Sequence, residues 1–174
     1  MADFRIPVVS VVGKGKSGRT TLLEGVIATL AGRGYRVATA KHHFHETDID
    51  TPGKDSWCHW NAGAVVTMVS APDRLGVFRR VEQERTLAEL AGEAGDVDIM
   101  LTEGFRRTSP VLVEVVRAER STEPICAPDE LFALVTDVED LRALPVPILG
   151  LNDAEGLADL IEERFLGGAR DGDA

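Results

Sequence analysis

Short apolar runs alternate along this chain with segments whose apolar residues recur at helical spacing. The run Val8-Val9-Ser10-Val11-Val12 is too continuously apolar for a half-exposed strand and is typical of a buried parallel strand. The pattern predicts strands at 7–12, 35–40, 65–70, 75–80, 98–104, 111–116, 131–136 and 146–149, and helices at 20–33, 55–62, 86–94 and 154–166. This order predicts an α/β fold with a mostly parallel sheet covered on both faces, in which 75–80 is a candidate to pair antiparallel with 65–70 as a hairpin extension.

The segment after the first strand matches a phosphate-binding loop. Against the template G-x-x-x-x-G-K-[ST], Gly13 and Gly18 fall on the two glycines and Thr20 falls on the hydroxyl residue. Glycines allow backbone angles at which successive N–H groups point at phosphate oxygens, and the following helix adds the positive end of its dipole. Thr20 is then a predicted ligand of Mg²⁺. The residues predicted to bind the phosphates are Gly13, Lys14, Gly15, Lys16, Ser17, Gly18, Arg19, Thr20 and Thr21.

Arg19 stands where the template has lysine. A lysine there reaches the β and γ phosphates as a compact charge, whereas a guanidinium is a broad planar fork, and the two groups are not interchangeable. Arg19 can still neutralise phosphate charge, and Lys14 or Lys16 can supply an ammonium group from within the loop. The sequence therefore predicts that nucleotide binding survives this replacement better than hydrolysis does.

A second signature is the apolar run 98–104, which ends in an acid. A carboxylate at the carboxyl end of the strand beside a phosphate loop can hold Mg²⁺ or a water bound to it. Glu103 is the first candidate, and Asp98 is the weaker one because it lies at the start of the strand. Together with the loop, this acid predicts a three-layer P-loop NTPase-like fold.

The most polar stretch of the chain, KHHFHETDIDTPGKDSWCHWNAGA at 41–64, is predicted to be a functional loop leading into a short helix. It contains five residues of types that often bind metal ions, namely His42, His43, His45, Cys58 and His59. Their spacing does not give a standard zinc signature. Beside a phosphate site, imidazoles and Lys41 have another use, which is to contact anionic groups. Lys41 is therefore a predicted nucleotide-binding residue.

Composition and charge narrow the class of protein. At 174 residues, with 44% hydrophobic and 28% charged residues, the chain is typical of a globular protein, and we predict one nucleotide-binding domain over 1–166 with a loose tail over 167–174. The net charge of -10 argues against nucleic-acid or membrane partners. No apolar run reaches membrane-spanning length, and the opening MADFRIPVV lacks the features of a signal peptide. With no Cys-x-x-Cys pair, these features predict a cytoplasmic protein with reduced thiols.

Four separated stretches of the chain match one family. They are VVGKGKSGRTTLLE, KHHFHETDIDTPGKDSWCHWNAGA, LTEGFRR followed by VEVVR, and LPVPILGLNDAEGLADLI. On these stretches the sequence resembles the molybdopterin-guanine dinucleotide biosynthesis protein B family, small GTP-binding proteins of the molybdenum-cofactor pathway. The loop alone is shared with many NTPases, whereas the second stretch is far more specific.

The resemblance implies a homodimeric GTP-binding protein with feeble GTPase activity. It implies an adaptor to the guanylyltransferase that joins GMP to molybdopterin, with molybdopterin as a further candidate ligand. The nucleotide-binding role carries over onto residues 13–21 and the metal-proximal role onto Thr20 and Glu103. Asp50 falls where a switch-like segment would approach the γ-phosphate. Arg19 departs from the family pattern, which has lysine.

Some assignments stay open at the level of sequence. No Asn-Lys-x-Asp motif is present for the guanine base, and the candidates are Thr136-Asp137 and Asn152-Asp153. A small-molecule kinase or an NTPase of another pathway is the alternative function on the same fold, although phosphoryl transfer relies on positioned cations and the loop lysine is missing. A metal-binding protein that uses the histidine-rich stretch is the third candidate.

Overall fold

The computed structural model describes residues 4–43 and 48–167. In chain order its strands are β1 Val8–Val12, β2 Val37–Lys41, β3 Val66–Ala71, β4 Arg74–Arg79, β5 Ile99–Glu103, β6 Leu112–Val116, β7 Leu131–Thr136 and β8 Ile148–Leu149. Its helices are α1 Arg19–Gly32, α2 Asp55–Asn61, α3 Leu87–Glu93 and α4 Ala154–Ile161, the last continued by a π-helical turn over Glu162–Leu166. The chain forms two compact units, one comprising Met1–His42 with Thr86–Ala174 and the other His43–Arg85. The predicted single domain over 1–166 stays a prediction.

Six parallel strands form the central sheet of the first unit. They lie in the order β2-β5-β1-β6-β7-β8. In this register Val11 of β1 lies beside Glu103 of β5, and Val12 of β1 lies beside Glu114 of β6. The carboxyl end of β1, where the glycine-rich loop begins, therefore lies between the carboxyl end of β5 and the middle of β6.

Helices cover both faces of this sheet. On one face α1 and α4 bury Leu30 and Leu157 in the core that contains Val9 of β1. On the other face α3 buries Leu87 against Met100 of β5. These three layers confirm the predicted α/β fold, because the continuous apolar strands are covered on both sides.

The loop after α1 explains where β2 begins. The N–H of Gly34 donates to the carbonyl of Ala31 at 3.0 Å, and the N–H of Tyr35 donates to the carbonyl of Leu30 at 3.1 Å. Gly34 has a φ of 89°, so this is a glycine-terminated helix end. Tyr35 belongs to that turn, and the strand predicted at 35–40 is observed two residues later.

The second unit contains α2 and an antiparallel hairpin of β3 and β4, as predicted. Cross-strand neighbours in the hairpin share a face, and the pairs are Met68 with Val77 and Ser70 with Leu75. Met68, Leu75 and Val77 are 62%, 64% and 45% exposed, and we call these three residues the apolar hairpin face. Thr67, on the opposite face, is buried. This opposite face is covered only in part, because Val69 on it is 46% exposed, and the apolar hairpin face is open.

The remaining predicted elements lie within a few residues of the observed ones. The strand predicted at 131–136 is β7, and the helix predicted at 86–94 is α3 with Thr86 as its N-cap in a capping box with Glu89. Asp153 caps α4 by accepting the N–H of Gly156 at 2.9 Å. The predicted tail lies outside the described residues except for Gly167. Among residues 4–43 and 48–167 no helix has the length and apolarity needed to cross a membrane.

Candidate functional site

The glycine-rich loop takes backbone conformations that curl it over the start of α1. Gly13, Lys16 and Gly18 have φ values of 142°, 63° and 99°. The N–H of Ser17 donates to the carbonyl of Lys14 at 3.2 Å and closes the turn. Positive φ at a lysine is uncommon, so the loop holds Lys16 in a strained conformation of a kind found at ligand-binding sites.

Gly13 is required where the loop leaves β1. A Cβ atom at this position would lie 2.4 Å from the carbonyl oxygen of Val115 on the neighbouring strand β6. Real Cβ atoms do not approach a backbone oxygen so closely, and the φ of Gly13 also disfavours any side chain. The first glycine of the motif is therefore fixed by the packing of the sheet as well as by the turn.

The loop contains a buried hydroxyl group without a partner. Ser17 is 2% exposed, and its Oγ has no hydrogen bond to any described residue. At the start of α1, Gly18 is the N-cap residue, and no side chain caps the helix. An unpaired buried hydroxyl group and uncapped helix N–H groups are the donors that a phosphate needs. The residues present in the loop therefore fit a phosphate group.

Glu103, at the carboxyl end of β5, is the centre of a charged cluster. Its side chain is 9% exposed. Oε2 accepts a hydrogen bond from Oγ1 of Thr20 at 2.8 Å and lies 3.5 Å from Nζ of Lys41. Oε1 lies 3.5 Å from Nη2 of Arg19. The structure thus brings together four residues that the sequence analysis had singled out in separate stretches.

The hydroxyl and carboxylate oxygens of this cluster are hard ligands of the kind that Mg²⁺ prefers. Because Mg²⁺ is usually held by one or two protein oxygens and by phosphate oxygens, Thr20 and Glu103 fit its needs beside a phosphate loop. Asp98, the weaker candidate, lies at the opposite end of β5, where its Oδ2 accepts the N–H of Arg36 at 2.6 Å. The preference for Glu103 over Asp98 follows from the direction of the strand.

Other predicted residues belong to the second unit or lie outside the description. Asp50 belongs to the second unit, where its Oδ1 accepts the N–H of Thr51 at 2.7 Å, and its role near a γ-phosphate stays a prediction. His45 lies outside the described residues. Within the described ranges, no group of three or more His, Cys, Asp and Glu side chains is arranged to hold a metal ion.

The segment after β6 was missed by the sequence analysis. Nζ of Lys14 donates to Oγ of Ser121 at 2.6 Å, and Nε of Arg120 donates to the carbonyl of Gly15 at 3.3 Å. We call residues 117–121 the β6 loop. The sequence offered a signal, since Arg117 follows directly on a predicted strand and Arg120 comes three residues later. That β6 lies next to β1 could not be read from the sequence.

The β6 loop and the phosphate loop enclose a small pocket. Its lining residues are Lys14, Ser17, Glu114, Val115, Val116, Arg117, Arg120, Ser121 and Glu123. Glu114 is 1% exposed, and its carboxylate accepts the N–H groups of Ile125 at 2.6 Å and Cys126 at 2.9 Å. Burial, together with the nearby Glu114 carboxylate, raises the pKa of the Cys126 thiol to about 11. Glu114 therefore fixes the return of the chain from the β6 loop.

In the two dipeptides considered for the guanine contact, Thr136-Asp137 and Asn152-Asp153, three side chains already make hydrogen bonds within the protein. Oδ1 of Asp137, directly after β7, accepts the N–H of Ala118 in the β6 loop at 2.7 Å. Thr136 is fully buried, and its Oγ1 accepts the N–H of Val138 at 3.0 Å. Asp153 caps α4. The guanine contact stays a prediction.

A parallel sheet covered on both faces, with a glycine-rich loop between its first strand and first helix, defines a P-loop NTPase-like α/β protein. The family model for molybdopterin guanine dinucleotide synthesis protein B matches residues 8–137. The chain belongs to this family.

Relatives and solved structures agree with this assignment. The chain is 34% identical over 164 residues to the molybdopterin-guanine dinucleotide biosynthesis adapter protein of Escherichia coli, covering 91% of this chain and 93% of that protein. It is 30% identical to the protein of the same name from Haemophilus influenzae, over a match that covers 91% of this chain and 89% of that protein. The crystal structure of Bacillus subtilis MobB matches at 25% identity with a TM-score of 0.74, covering 92% of this chain and 98% of that one.

Proposed function

We propose that this protein is a GTP-binding adaptor in molybdenum-cofactor biosynthesis, which assists the attachment of GMP to molybdopterin. The observation that carries the proposal is the phosphate loop, with an unpartnered Ser17 hydroxyl group and a helix start that no side chain caps, in a chain of this family. Relatives that cover nearly the whole chain are named adapter proteins of molybdopterin-guanine dinucleotide biosynthesis. A cytoplasmic location remains part of the proposal.

Mg²⁺ is the proposed cofactor alongside GTP. Thr20 and Glu103 would hold the ion, which would neutralise charge on the β and γ phosphates. Lys41, whose Nζ lies 3.5 Å from Glu103, brings a compact cation to the same end of the sheet. A bound metal would share the Glu103 carboxylate with Arg19 and Lys41, whose cationic groups each lie 3.5 Å from it.

Hydrolysis is proposed to be weak. A phosphate loop normally stabilises the transferring phosphate with a lysine, and here the residue at that position is paired with a carboxylate. This arrangement supports a protein that holds GTP for a partner more than one that turns it over. The proposed partner is the guanylyltransferase, with molybdopterin as a further candidate ligand.

A homodimer is proposed through the apolar hairpin face. A two-stranded hairpin that exposes apolar side chains is marginally stable alone, whereas a second copy of the same hairpin would cover them. Met68, Leu75 and Val77 form an exposed apolar patch, and a two-fold axis through it would bring the same patch of a second copy against it. No charged residue interrupts the pairing of Met68 with Val77 or of Ser70 with Leu75.

Calorimetric titration with GTP and with ATP, each with Mg²⁺, tests the proposal. Saturable and GTP-selective binding is the expected result. Absence of GTP binding would overturn the proposed function. Selective ATP binding together with ATP-dependent phosphorylation of a metabolite would replace it with the small-molecule kinase.

The adaptor role is tested by adding the protein to purified guanylyltransferase with GTP and molybdopterin. We expect the yield of molybdopterin guanine dinucleotide to rise with the amount of added protein. A yield that does not change when GTP-loaded protein is added would contradict the adaptor role while leaving GTP binding intact.

A further inference from the structure

Arg117 is a half-buried cation without a partner. It follows directly on β6, and its guanidinium has no hydrogen bond or ion pair with any residue in 4–43 or 48–167. Its Nη1 lies 3.8 Å from the point where a Cβ of Gly18, the N-cap residue of α1, would stand. A guanidinium that gives up part of its hydration beside a helix N-terminus, and that makes no ion pair with a carboxylate of the described residues, is placed for an anion.

The pocket next to Arg117 contains a second sign of a ligand. Ser17, 2% exposed and with an unpartnered hydroxyl group, lines the same pocket as Arg117. Lys14 and Arg120 add two more cations to the lining, against the carboxylates of Glu114 and Glu123. The carboxylate of Glu114 is already held by two backbone N–H groups. The Arg117 guanidinium and the Ser17 hydroxyl group are therefore unsatisfied hydrogen-bond donors in this pocket, and such donors suit phosphate oxygens.

The order of the strands gives the direction of the nucleotide. Thr20 and Glu103, the proposed metal ligands, lie on the β5 side of β1, whereas Arg117 lies on the β6 side. A metal held by Thr20 and Glu103 would neutralise charge on the terminal phosphates, so we expect the γ-phosphate at the β5 side. The phosphates nearer the nucleoside then lie toward β6 and its loop.

Resting on the function proposed above, we propose that Arg117 binds the α- and β-phosphates of the nucleotide from the β6 side of the phosphate loop. It supplies there a cation that Arg19, paired with Glu103, does not supply. A guanidinium can give two parallel hydrogen bonds to phosphate oxygens, which a lysine cannot.

The β6 loop is held in position for this task by three hydrogen bonds. Lys14 donates to Ser121, Arg120 donates to the carbonyl of Gly15, and the N–H of Ala118 donates to Asp137. Two of these bonds join the β6 loop to the phosphate loop, and the third ties it to the end of β7. Arg117 is therefore presented from a backbone that is fixed on both sides.

The test is a titration of the wild-type protein and of Arg117→Ala with GTP and with GDP at fixed ionic strength and Mg²⁺ concentration. Loss of a charge-assisted contact should weaken both affinities by about tenfold or more. The ratio of the GTP and GDP affinities should not change, because the contact does not involve the γ-phosphate. Arg117→Lys keeps the positive charge but loses the forked guanidinium group, so its GTP and GDP affinities should lie between those of the wild-type protein and Arg117→Ala.

Arg36→Ala is the matched control, since it removes a guanidinium that pairs with the exposed Asp96 at the amino end of β2. It should bind both nucleotides as the wild-type protein does. GTP and GDP affinities of Arg117→Ala within about twofold of wild type, in a variant with an unchanged circular dichroism spectrum, would overturn the inference. A loss confined to GTP would also overturn it, because the contact would then be to the γ-phosphate.

Pyrophosphate separates failure of this inference from failure of the proposed function. Wild-type protein that binds pyrophosphate but not GTP would overturn the GTP-binding function, and loss of pyrophosphate binding in Arg117→Ala would still support the contact. GTP binding by the wild-type protein that is insensitive to Arg117 would leave the proposed function standing and overturn the inference alone.

Discussion

Nη2 of Arg19 lies 3.5 Å from Oε1 of Glu103, so the residue in the lysine position of the phosphate loop is paired with the carboxylate proposed to serve the metal. The Glu103 side chain is 9% exposed and the Arg19 side chain 22% exposed, so water screens this pair only in part. The pair directs the guanidinium toward β5. This is a structural reason to expect that binding and hydrolysis respond differently to position 19.

Replacing Arg19 with lysine should speed GTP hydrolysis and change GTP affinity only modestly. An ammonium group on a flexible stem can reach the β and γ phosphates, where charge is stabilised in the transition state. Single-turnover release of phosphate measures the rate, and titration measures the affinity. A rate equal to that of the wild-type protein would mean that Lys14, Lys16 or another cation already fills this role.

Replacing Glu103 with glutamine should remove most of the contribution of Mg²⁺ to GTP binding. The amide keeps the size of the side chain but cannot neutralise the ion, so the gain in affinity on adding Mg²⁺ should fall by about tenfold. Without Mg²⁺, affinity should stay the same or rise, because one negative charge near the phosphates is gone. Titration with Mg²⁺ and with a chelator gives both values. An undiminished Mg²⁺ effect would exclude Glu103 as a metal ligand.

Gly13→Ala should destabilise the fold, whereas Gly15→Ala should not. The new Cβ at position 13 would meet the Val115 carbonyl at 2.4 Å with a φ of 142°, whereas a Cβ at position 15 meets no atom within 4 Å. We expect a loss of about 2 kcal/mol or more in the free energy of unfolding for Gly13→Ala and less than about 0.5 kcal/mol for Gly15→Ala. Urea unfolding measures both. Equal stabilities would show that β6 can move away from the loop.

Charged substitutions on the apolar hairpin face should produce monomers. The double variant Met68→Asp, Leu75→Asp would place like charges across a two-fold interface, which opposes self-association. Light scattering coupled to size-exclusion chromatography gives the mass in solution. Ile49→Asp, at an aliphatic side chain that is 72% exposed and outside the hairpin, is the control and should leave the mass unchanged. A double variant that keeps the mass of a dimer would place the interface elsewhere.

The two cysteines should differ in reactivity. Cys58 is exposed, whereas Cys126 is buried and its pKa is raised to about 11, so at pH 8 Cys126 is almost wholly a thiol. A colorimetric thiol reagent should therefore titrate one cysteine rapidly and the second only after unfolding. In Cys58→Ser the rapid phase should disappear. A rapid phase that persists in this variant would show that Cys126 is accessible.

The same thiol gives stability a pH dependence on the alkaline side. The folded protein keeps the proton of Cys126 up to a pKa of about 11, whereas the unfolded chain releases it near the ordinary value of 9.0. Because the folded state binds more protons in that window, the free energy of unfolding should fall as pH rises from 9 to 11. The fall should be smaller in Cys126→Ala, measured by urea unfolding at each pH.

Much of the fold could be predicted from the sequence because the strands are buried on both faces. An uninterrupted apolar run such as β7, predicted at 131–136 and observed at Leu131–Thr136, can be recognised as a strand without knowing which strands lie next to it. The choice of Glu103 over Asp98 was also readable, since parallel strands bring their carboxyl ends to one edge. The start of β2 was harder to predict from the sequence, because Tyr35 belongs to the glycine-terminated turn that ends α1.

The rest depends on which strands are neighbours, and sequence does not state this. The order β2-β5-β1-β6 is what puts the β6 loop against the phosphate loop, and without it Arg117 and Arg120 are two arginines after a strand. The pairing of Arg19 with Glu103 likewise needs side-chain directions, which no spacing rule supplies. The motif alone predicted Arg19 among the phosphate-binding residues without its carboxylate partner.

The connection from β2 to β5 has a consequence for how the family can diverge. These two strands are neighbours in the sheet, yet the whole unit His43–Arg85 and the helix α3 lie between them in the chain. Doubling the length of such a connection costs only about 0.6 kcal/mol of closure entropy. Changes in the length of this connection should therefore cost the fold little, whereas the turn from β1 into α1, which leaves the sheet between β5 and β6, has no such freedom.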